Sequence, residues 1–319
     1  MQTPRIKMIG FAFFACLIAS RFFSTAEAQN SPSGTTAPSR FPGFAGQPDK
    51  FLERLFGEST AEEVKMMEDV DIPIKEERDF GRAQVEAYLA HLDREGHRVI
   101  RKGKDVEYLK HLVETLKPMM SHARRYPKIT VYVVDSLQVD ARSFPGGTLF
   151  FFKGLLSFAE NEAALIGIVG HELSHLDHGH ILLPLKRTKL MERTLADGAA
   201  AFDAQKFWSS GTALTRLMGR PFRPEDEAAA DRDGARWSYQ AGYDPRELAA
   251  LFYRLHQRNK SPKLPMAAFF RTHPYSDDRH DAIMRQYDEL QQADPRDTLY
   301  RGKKNLAQRI PRSQQEFPD

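Results

Sequence analysis

Residues 171–175 read HELSH and place two histidines four positions apart. On a helix, this spacing brings His171 and His175 to one face, one turn apart, so that both imidazoles can reach one zinc ion. Glu172 lies about 100° further round the helix, where it can take a proton from a water that the metal holds. A solvated helix face that carries these residues by chance is the alternative, but the surrounding segment is largely apolar.

A catalytic zinc needs three protein ligands and one position for water, so a third ligand must come from elsewhere in the chain. The three-histidine pattern requires Gly and His where this chain has His178 and Ile181, so we interpret His178 and His180 as neighbours of a ligand or as solvent-facing. We predict Glu227 as the third ligand. Asp231 lies four residues on, shares its helix face and can hold a ligand histidine. The alternative is an acidic helix start that favours the helix dipole.

His273 is a further candidate, because the proline that follows it restricts the backbone and can direct the ring into a cleft. There it would stabilise a tetrahedral intermediate, or occupy the open zinc position in a resting state. A histidine on a surface loop is the alternative, since a single histidine is a weak signal. We predict a catalytic role for His273.

The elements that must position these residues can be read from apolar periodicity and capping signals. Asn161 can cap a helix that carries residues 171–175 and ends at Gly179, and Gly167 and Gly170 within it favour close packing of another element. Further helices are predicted over 49–70 (broken by Gly57), 106–124 (kinked near Pro118), 185–217, 224–241 and 245–258 and from Ser276, and strands are predicted over 129–134 and 148–152.

Length and charge place the chain among ordinary folded proteins. It has 319 residues, of which 41% are hydrophobic and 28% charged, so it can bury a substantial core. The net charge of +3 falls to +1 without residues 1–28, since 43 basic and 42 acidic residues remain. This balance gives no electrostatic argument for nucleic acid or an anionic membrane as a partner.

The N-terminus has the pattern of an export signal. Basic residues precede an apolar run at 8–19, and the small-residue sequence AEA ends at Ala28, so we predict a signal peptide over 1–28 and a periplasmic or secreted protein. A membrane anchor is the alternative, but the run is shorter than the roughly 20 residues that span a bilayer. A lipoprotein signal at Cys16 is a second alternative, but the apolar stretch before Cys16 is unusually short for one. Without 1–28 the chain has no cysteine for disulfides.

Four segments in this order resemble peptidase family M48, which includes the CAAX prenyl proteases and soluble periplasmic BepA-like proteases. They are Phe144 to Gly147, His171 to His175, Glu227 to Asp231 with Gly234, and His273-Pro274 with Arg279. The resemblance covers about Ile129 to Arg279. It implies a gluzincin fold: α+β, predominantly helical, with a zincin-like metallopeptidase domain and a small antiparallel or mixed sheet edging the active-site cleft.

The resemblance also implies roles for individual residues. One Zn²⁺ per chain would be held by His171, His175 and Glu227. Glu172 would be the base beside them. Asp231 and Arg279 would hold the ligands in place. The strand at 148–152 would edge the cleft, where an extended peptide could add by backbone hydrogen bonds. The chain departs from many family members in lacking their transmembrane helices and any recognisable tetratricopeptide repeat.

These inferences predict the domain organisation. Residues 29–48, rich in Ser, Pro, Gly and Thr, form a flexible linker after the signal peptide. The metallopeptidase domain covers 49–300, with a helical N-terminal part at 49–125 and a catalytic core at 126–300. The polar residues 301–319 are expected to form a loosely ordered tail.

The predicted function is that of a zinc endopeptidase acting on exported, unfolded or misassembled proteins. Its partners would be polypeptide substrates, with no nucleic acid and no integral membrane domain. Two alternatives stay open: a zinc-containing, chaperone-like binding module with little or no proteolysis, and a zinc hydrolase that acts on a bond other than a peptide bond. Glu172, which supplies a base, favours an enzyme over the binding module.

Overall fold

The computed structural model describes residue 57 and residues 60–194, 219–260 and 268–319. The predicted signal peptide, the predicted linker and the first part of the helix predicted over 49–70 lie outside the described residues. The same holds for the second half of the helix predicted over 185–217.

The described residues form helices and one sheet. In chain order the elements are α1 (Ala61–Glu68), α2 (Ile74–Arg94), β1 (Arg98–Ile100), α3 (Lys104–Leu116), β2 (Thr130–Asp135), β3 (Ala141–Phe144), β4 (Thr148–Phe152), α4 (Lys153–Phe158), α5 (Glu162–Asp177), α6 (Leu183–Thr194), α7 (Pro224–Gln240), α8 (Arg246–Asn259), α9 (Phe269–Thr272), α10 (Asp277–Ala293) and α11 (Lys303–Gln308). The predominantly helical α+β class is confirmed.

The sheet has four strands in the order β1-β2-β4-β3. β2 and β4 are parallel, and both outer strands pair antiparallel to their neighbours, so the predicted mixed sheet is confirmed. The prediction that the strand at 148–152 edges the cleft was wrong, because β4 is paired on both sides. The edge strands are β1 and β3, and the one beside Glu172 is β3. The sequence did not predict β3, since it holds Arg142 and Ser143 between its two apolar ends and has no β-branched residue.

The helix that carries the HELSH segment, α5, is the centre of the core. All of its residues are buried. The predicted cap is present: Asn161 Oδ1 accepts a hydrogen bond from the backbone N–H of Ala164 at 2.8 Å. The helix ends before Gly179, whose φ of 67° is the left-handed conformation that glycine adopts without strain.

The long helix α2 was not predicted from the sequence. It spans 21 residues, and its buried face includes Glu77, Gly81 and Gln84 beside larger apolar side chains. Because polar and small residues interrupt the apolar stripe, the periodicity is weak. The helix lies against the turn between β3 and β4, so closely that a Cβ atom at Gly81 would lie 1.8 Å from the carbonyl oxygen of Pro145.

Two further expectations are corrected. The helix predicted over 106–124 ends at Leu116, because Pro118 cannot donate a backbone hydrogen bond and the chain continues in 3-10 turns. The loose order predicted for 301–319 was wrong: the Asp319 carboxylate accepts a hydrogen bond from the Gly302 N–H at 2.5 Å. Composition does not reveal such specific contacts between polar groups.

Candidate metal centre

The site lies where α5 and α7 pack against each other. A Cβ atom at Gly234 of α7 would lie 2.8 Å from the carbonyl oxygen of Gly167 and 3.1 Å from the amide nitrogen of His171. Side chains larger than hydrogen would therefore push the helices apart. The close packing predicted from the glycines of α5 is confirmed, and it brings side chains 60 residues apart in sequence into contact.

Four buried side chains meet at this crossing: His171, His175, Glu227 and His273. Each offers one ligand atom, and these atoms lie within 4.8 Å of one another. The Nε2 atoms of His171 and His175 are 3.1 Å apart, and His175 Nε2 lies 3.4 Å from Glu227 Oε1. Zinc bonds of 2.0–2.2 Å in a tetrahedron put ligand atoms about 3.3–3.6 Å apart. His171 Nε2 lies 3.8 Å from Glu227 Oε2. The three separations thus lie within about 0.2 Å of the range expected for zinc, and the three groups fit the ion.

His171 is oriented by a carboxylate behind it. Its Nδ1 lies 3.0 Å from Asp231 Oδ1, so Nδ1 carries the proton and Nε2 has its lone pair free for a metal. Arg279 holds Asp231 in turn, donating from Nε at 2.6 Å and from Nη2 at 2.8 Å. Arg279 Nη1 also lies 2.7 Å from Glu227 Oε2. The guanidinium of Arg279 thus fixes both Glu227, the third ligand, and Asp231, which orients His171.

His175 is oriented by another histidine. Its Nδ1 lies 3.0 Å from Nδ1 of His180, in the 3-10 turn His180–Leu182 that follows α5. His180 Nε2 lies 3.6 Å from Asp226 Oδ1. Phe222 stacks on the other side of the His175 ring, with centroids 3.9 Å apart. These contacts fix the rotation of the His175 imidazole.

Glu172 stands beside the ligands without joining them. Its carboxyl is fully buried, and neither oxygen has a hydrogen-bond partner among the described residues. Burial raises the pKa of Glu172 to about 8. The imidazole of His273 is close, with its Nε2 atom 3.5 Å from Oε1. A carboxyl with a pKa near neutrality can both accept and return a proton.

The protonation states suit metal binding. Burial lowers the pKa of His171 and of His175, which keeps both imidazoles neutral. Burial alone would raise the pKa of Glu227, yet His273 and Arg279 hold it well below its ordinary value. Neutral imidazoles and an ionised carboxylate are the forms that bind a metal.

Every site residue predicted from the sequence lies at this crossing. His273, in the turn after α9, is within the cluster: its Nδ1 lies 2.8 Å from Glu227 Oε1 and 3.1 Å from His171 Nε2. Sequence reasoning did not predict the contact between His180 and His175. The glycine at position 179 was a signal for it, because the chain turns back towards α5 there. His178 is not part of the ligand cluster: its Nε2 lies 2.8 Å from Asp233 Oδ2, and its ring stacks on that of His180.

Two imidazoles from one helix and a carboxylate from a second are the donor set of the His₂Glu class of catalytic zinc sites, and a glutamate beside them supplies the base. The fold and the site therefore define the class of zinc metallopeptidases. Within the described residues, no helix is long and apolar enough to span a membrane.

Residues 104–286 match the model of Peptidase family M48, and the chain belongs to this family of zinc metalloendopeptidases. It is 27% identical over 158 residues to the beta-barrel assembly-enhancing protease of Yersinia pestis, covering 46% of this chain and 32% of that protein. It is 29% identical over 176 residues to the mitochondrial metalloendopeptidase OMA1 of Danio rerio, covering 50% and 35%. The matched region is thus about a third of these relatives' length.

Proposed function

We propose that this protein hydrolyses peptide bonds in exported proteins that are unfolded or misassembled. The observation that carries the proposal is the unpaired, buried carboxyl of Glu172 beside His171, His175 and Glu227. A buried carboxyl beside the ligands is available to move a proton. The likeness to the beta-barrel assembly-enhancing protease of Yersinia pestis supports a protease.

In the proposed mechanism, His171, His175 and Glu227 would hold the ion, and Asp231 and Arg279 fix two of these ligands. Zinc, when bound, lowers the pKa of water to about 7 and polarises the scissile carbonyl. Glu172 accepts the proton of the attacking water and passes it to the leaving amine. The same residue serves both steps, because it is fully buried and its raised pKa lets it hold the proton between them.

Extended polypeptide would bind along β3. Among the described residues, this strand is an outer strand of the sheet, and an outer strand is where an extended peptide can add by backbone hydrogen bonds. Arg142, Ser143 and Phe144 of β3 line the same cavity as Glu172. Backbone pairing recognises an extended chain more than particular side chains, which suits unfolded substrates.

His273 supports a resting state in which the centre is closed. It lies within the ligand cluster, at bonding distance from Glu227 and His171, and so takes the corner that a water needs. The same observation favours the second candidate function, a zinc-containing, chaperone-like module that binds unfolded chains and cleaves little. The two candidates share one substrate class and differ in turnover.

The test is cleavage of casein by the purified protein, with and without a zinc chelator, beside the variant Glu172→Gln. The proposal expects chelator-sensitive cleavage, and a loss of about 10²–10⁴-fold in the variant with its zinc content retained. Undiminished cleavage by Glu172→Gln would remove the proposed base. Stoichiometric zinc with no cleavage, even in His273→Ala, would favour the binding module.

The location and the domain borders are part of the proposal. The pattern over residues 1–28 supports export with cleavage after Ala28, followed by a linker at 29–48 and a peptidase domain over 49–300. N-terminal sequencing of the protein recovered from the cells and from the medium tests this. A first residue of Gln29 is expected, and a retained N-terminus would contradict it.

A further inference from the structure

A cavity beside Glu172 receives one wall from α2. Its volume is about 90 Å³, several times the roughly 10–15 Å³ that one water needs on this measure, so a side chain can enter it. Glu172 and His273 line it on the side of the metal centre, Ser143 lines it from β3, and Gln84 lines it from α2. A group that enters this cavity therefore lies beside the proposed base.

Gln84 is a buried amide without a partner. Its exposed fraction is 0%, and neither Oε1 nor Nε2 forms a hydrogen bond anywhere in the part of the chain that the structure describes. Buried side-chain amides are hydrogen-bonded in the large majority of proteins. An amide that the described residues leave unpaired, at the wall of a cavity that also contains the base, indicates a contact with a ligand.

The position of Gln84 is fixed by the packing of α2. One turn before it, Gly81 lies so close to the turn after β3 that an added Cβ atom would be 1.8 Å from the Pro145 oxygen. One turn after it, the ring of Tyr88 packs on Phe144, with centroids 5.0 Å apart. Residues three and four apart share a helix face. Gln84 is therefore held against the end of β3 from both sides.

We propose that Gln84 selects substrates by pairing with a carboxamide side chain, Asn or Gln, on a residue that flanks the scissile bond. A carboxamide has an acceptor and a donor that complement those of Gln84, so both of its unpaired atoms gain a partner. An apolar side chain would leave both atoms unpaired. A carboxylate would satisfy Nε2 alone and would bring a second negative charge to a buried site that already contains the Glu227 carboxylate.

This inference rests on the proposed function and adds a substrate class to it. It also gives a role to the helical N-terminal part of the domain, where the sequence offered none. Sites that hydrogen-bond a polar group of the substrate discriminate strongly against analogues that lack it, because the buried polar groups of the site are then left unpaired.

The test is cleavage of a mixed peptide library by wild type and by Gln84→Met, with the products identified by mass spectrometry. Met has a similar length and no amide. Wild type should prefer Asn and Gln over Leu and Met by at least about tenfold at one position near the cleaved bond. Gln84→Met should lose that preference and leave the other positions unchanged. The control Glu86→Met, at an exposed position of the same helix, should keep the wild-type profile.

Three results would overturn the proposal. One is an identical profile for wild type and Gln84→Met, and another is a wild-type preference for Asp or Glu at that position. The third is a uniform loss of cleavage in Gln84→Met together with a lower thermal midpoint, which would show a structural role. We expect an equal or higher midpoint, because the variant buries no unpaired amide.

If the wild-type protein cleaves no peptide, the proposed function is refuted. The pairing of Gln84 with a carboxamide is then tested by measuring peptide binding. Fluorescence anisotropy of labelled peptides on zinc-loaded Glu172→Gln then compares an Asn peptide with its Leu counterpart. Tighter binding of the Asn peptide, lost when Gln84→Met is added, supports the pairing. Equal binding of the two peptides overturns it.

Discussion

Gly170 and Gly234 lie in contact where the two site helices cross. A Cβ atom at Gly170 would lie 2.9 Å from the Cα atom of Gly234. This approach places Glu227, on α7, within ligand distance of the imidazoles of α5. The metal centre therefore depends on two residues that carry no chemistry of their own.

Substitution of Gly234 by Ala should destabilise the protein. The new methyl group would meet the Gly167 oxygen at 2.8 Å, and overpacking of this kind costs about 1–3 kcal/mol. Urea denaturation measures the change in the free energy of unfolding. The control is Gly219→Ala, since nothing lies within 4 Å of a Cβ atom there. Equal losses in the two variants would contradict the close helix contact.

Removal of His180 should weaken zinc binding by about 10–100-fold, because the His175 ring loses the group that fixes its orientation. Competition with a chromophoric chelator measures the affinity, and His180→Asn should restore part of it by accepting the same hydrogen bond. His111→Ala is the control, since His111 is exposed on α3 and its ring bonds Gln314. A loss as large in the control as in His180→Ala would refute the role of His180.

In the zinc-free protein, the contribution of Glu172 to stability should fall as the pH rises towards 8. Burial raises the pKa of Glu172 from 4.5 to about 8, so between these values the folded protein binds a proton at Glu172 that the unfolded chain releases. This contribution to the free energy of unfolding then falls by up to about 1.4 kcal/mol per pH unit.

Glu172→Gln removes this dependence on pH. Both proteins are freed of zinc with a chelator and denatured at pH 5.5 and 7.5. The free energy of unfolding of the variant, relative to that of wild type, should be higher at pH 7.5 than at pH 5.5. A difference between the two proteins that does not change with pH would contradict the raised pKa. Other titrating groups cancel in the comparison, because both proteins contain them.

Loss of the His273 ring should speed up cleavage. Its Nδ1 lies 2.8 Å from Glu227 Oε1, within the ligand cluster, so His273→Ala opens a corner for water. We expect a several-fold increase in casein turnover with unchanged zinc content, and no change in His111→Ala, at an exposed histidine of α3. A fall of about 10²-fold would instead assign His273 to stabilisation of the transition state.

The helices that carry the candidate site could be predicted from the sequence because their signals are local. The Asn161 cap, the glycine at the end of α5 and the proline at the start of α7 each act within one turn. The strands β2 and β4 were predicted from their β-branched and aromatic residues.

The elements that were missed depend on distant partners. Gly81 and Gln84 make α2 a helix with a buried polar face, and its packing partner, Pro145, lies more than 60 residues away. The pairing of His175 with His180 depends on the left-handed turn at Gly179, which returns the chain to α5. The spacing of residues along the sequence does not show which of them come into contact in this way.

The metal content of purified protein, compared between wild type and Glu227→Ala, tests the central claim most directly. The control is Glu225→Ala, at an exposed glutamate two residues earlier on α7. We predict one zinc per chain in wild type and in the control, and a clear loss in Glu227→Ala, because only two ligands of the proposed set remain. Equal zinc in all three proteins would contradict a centre built from both helices.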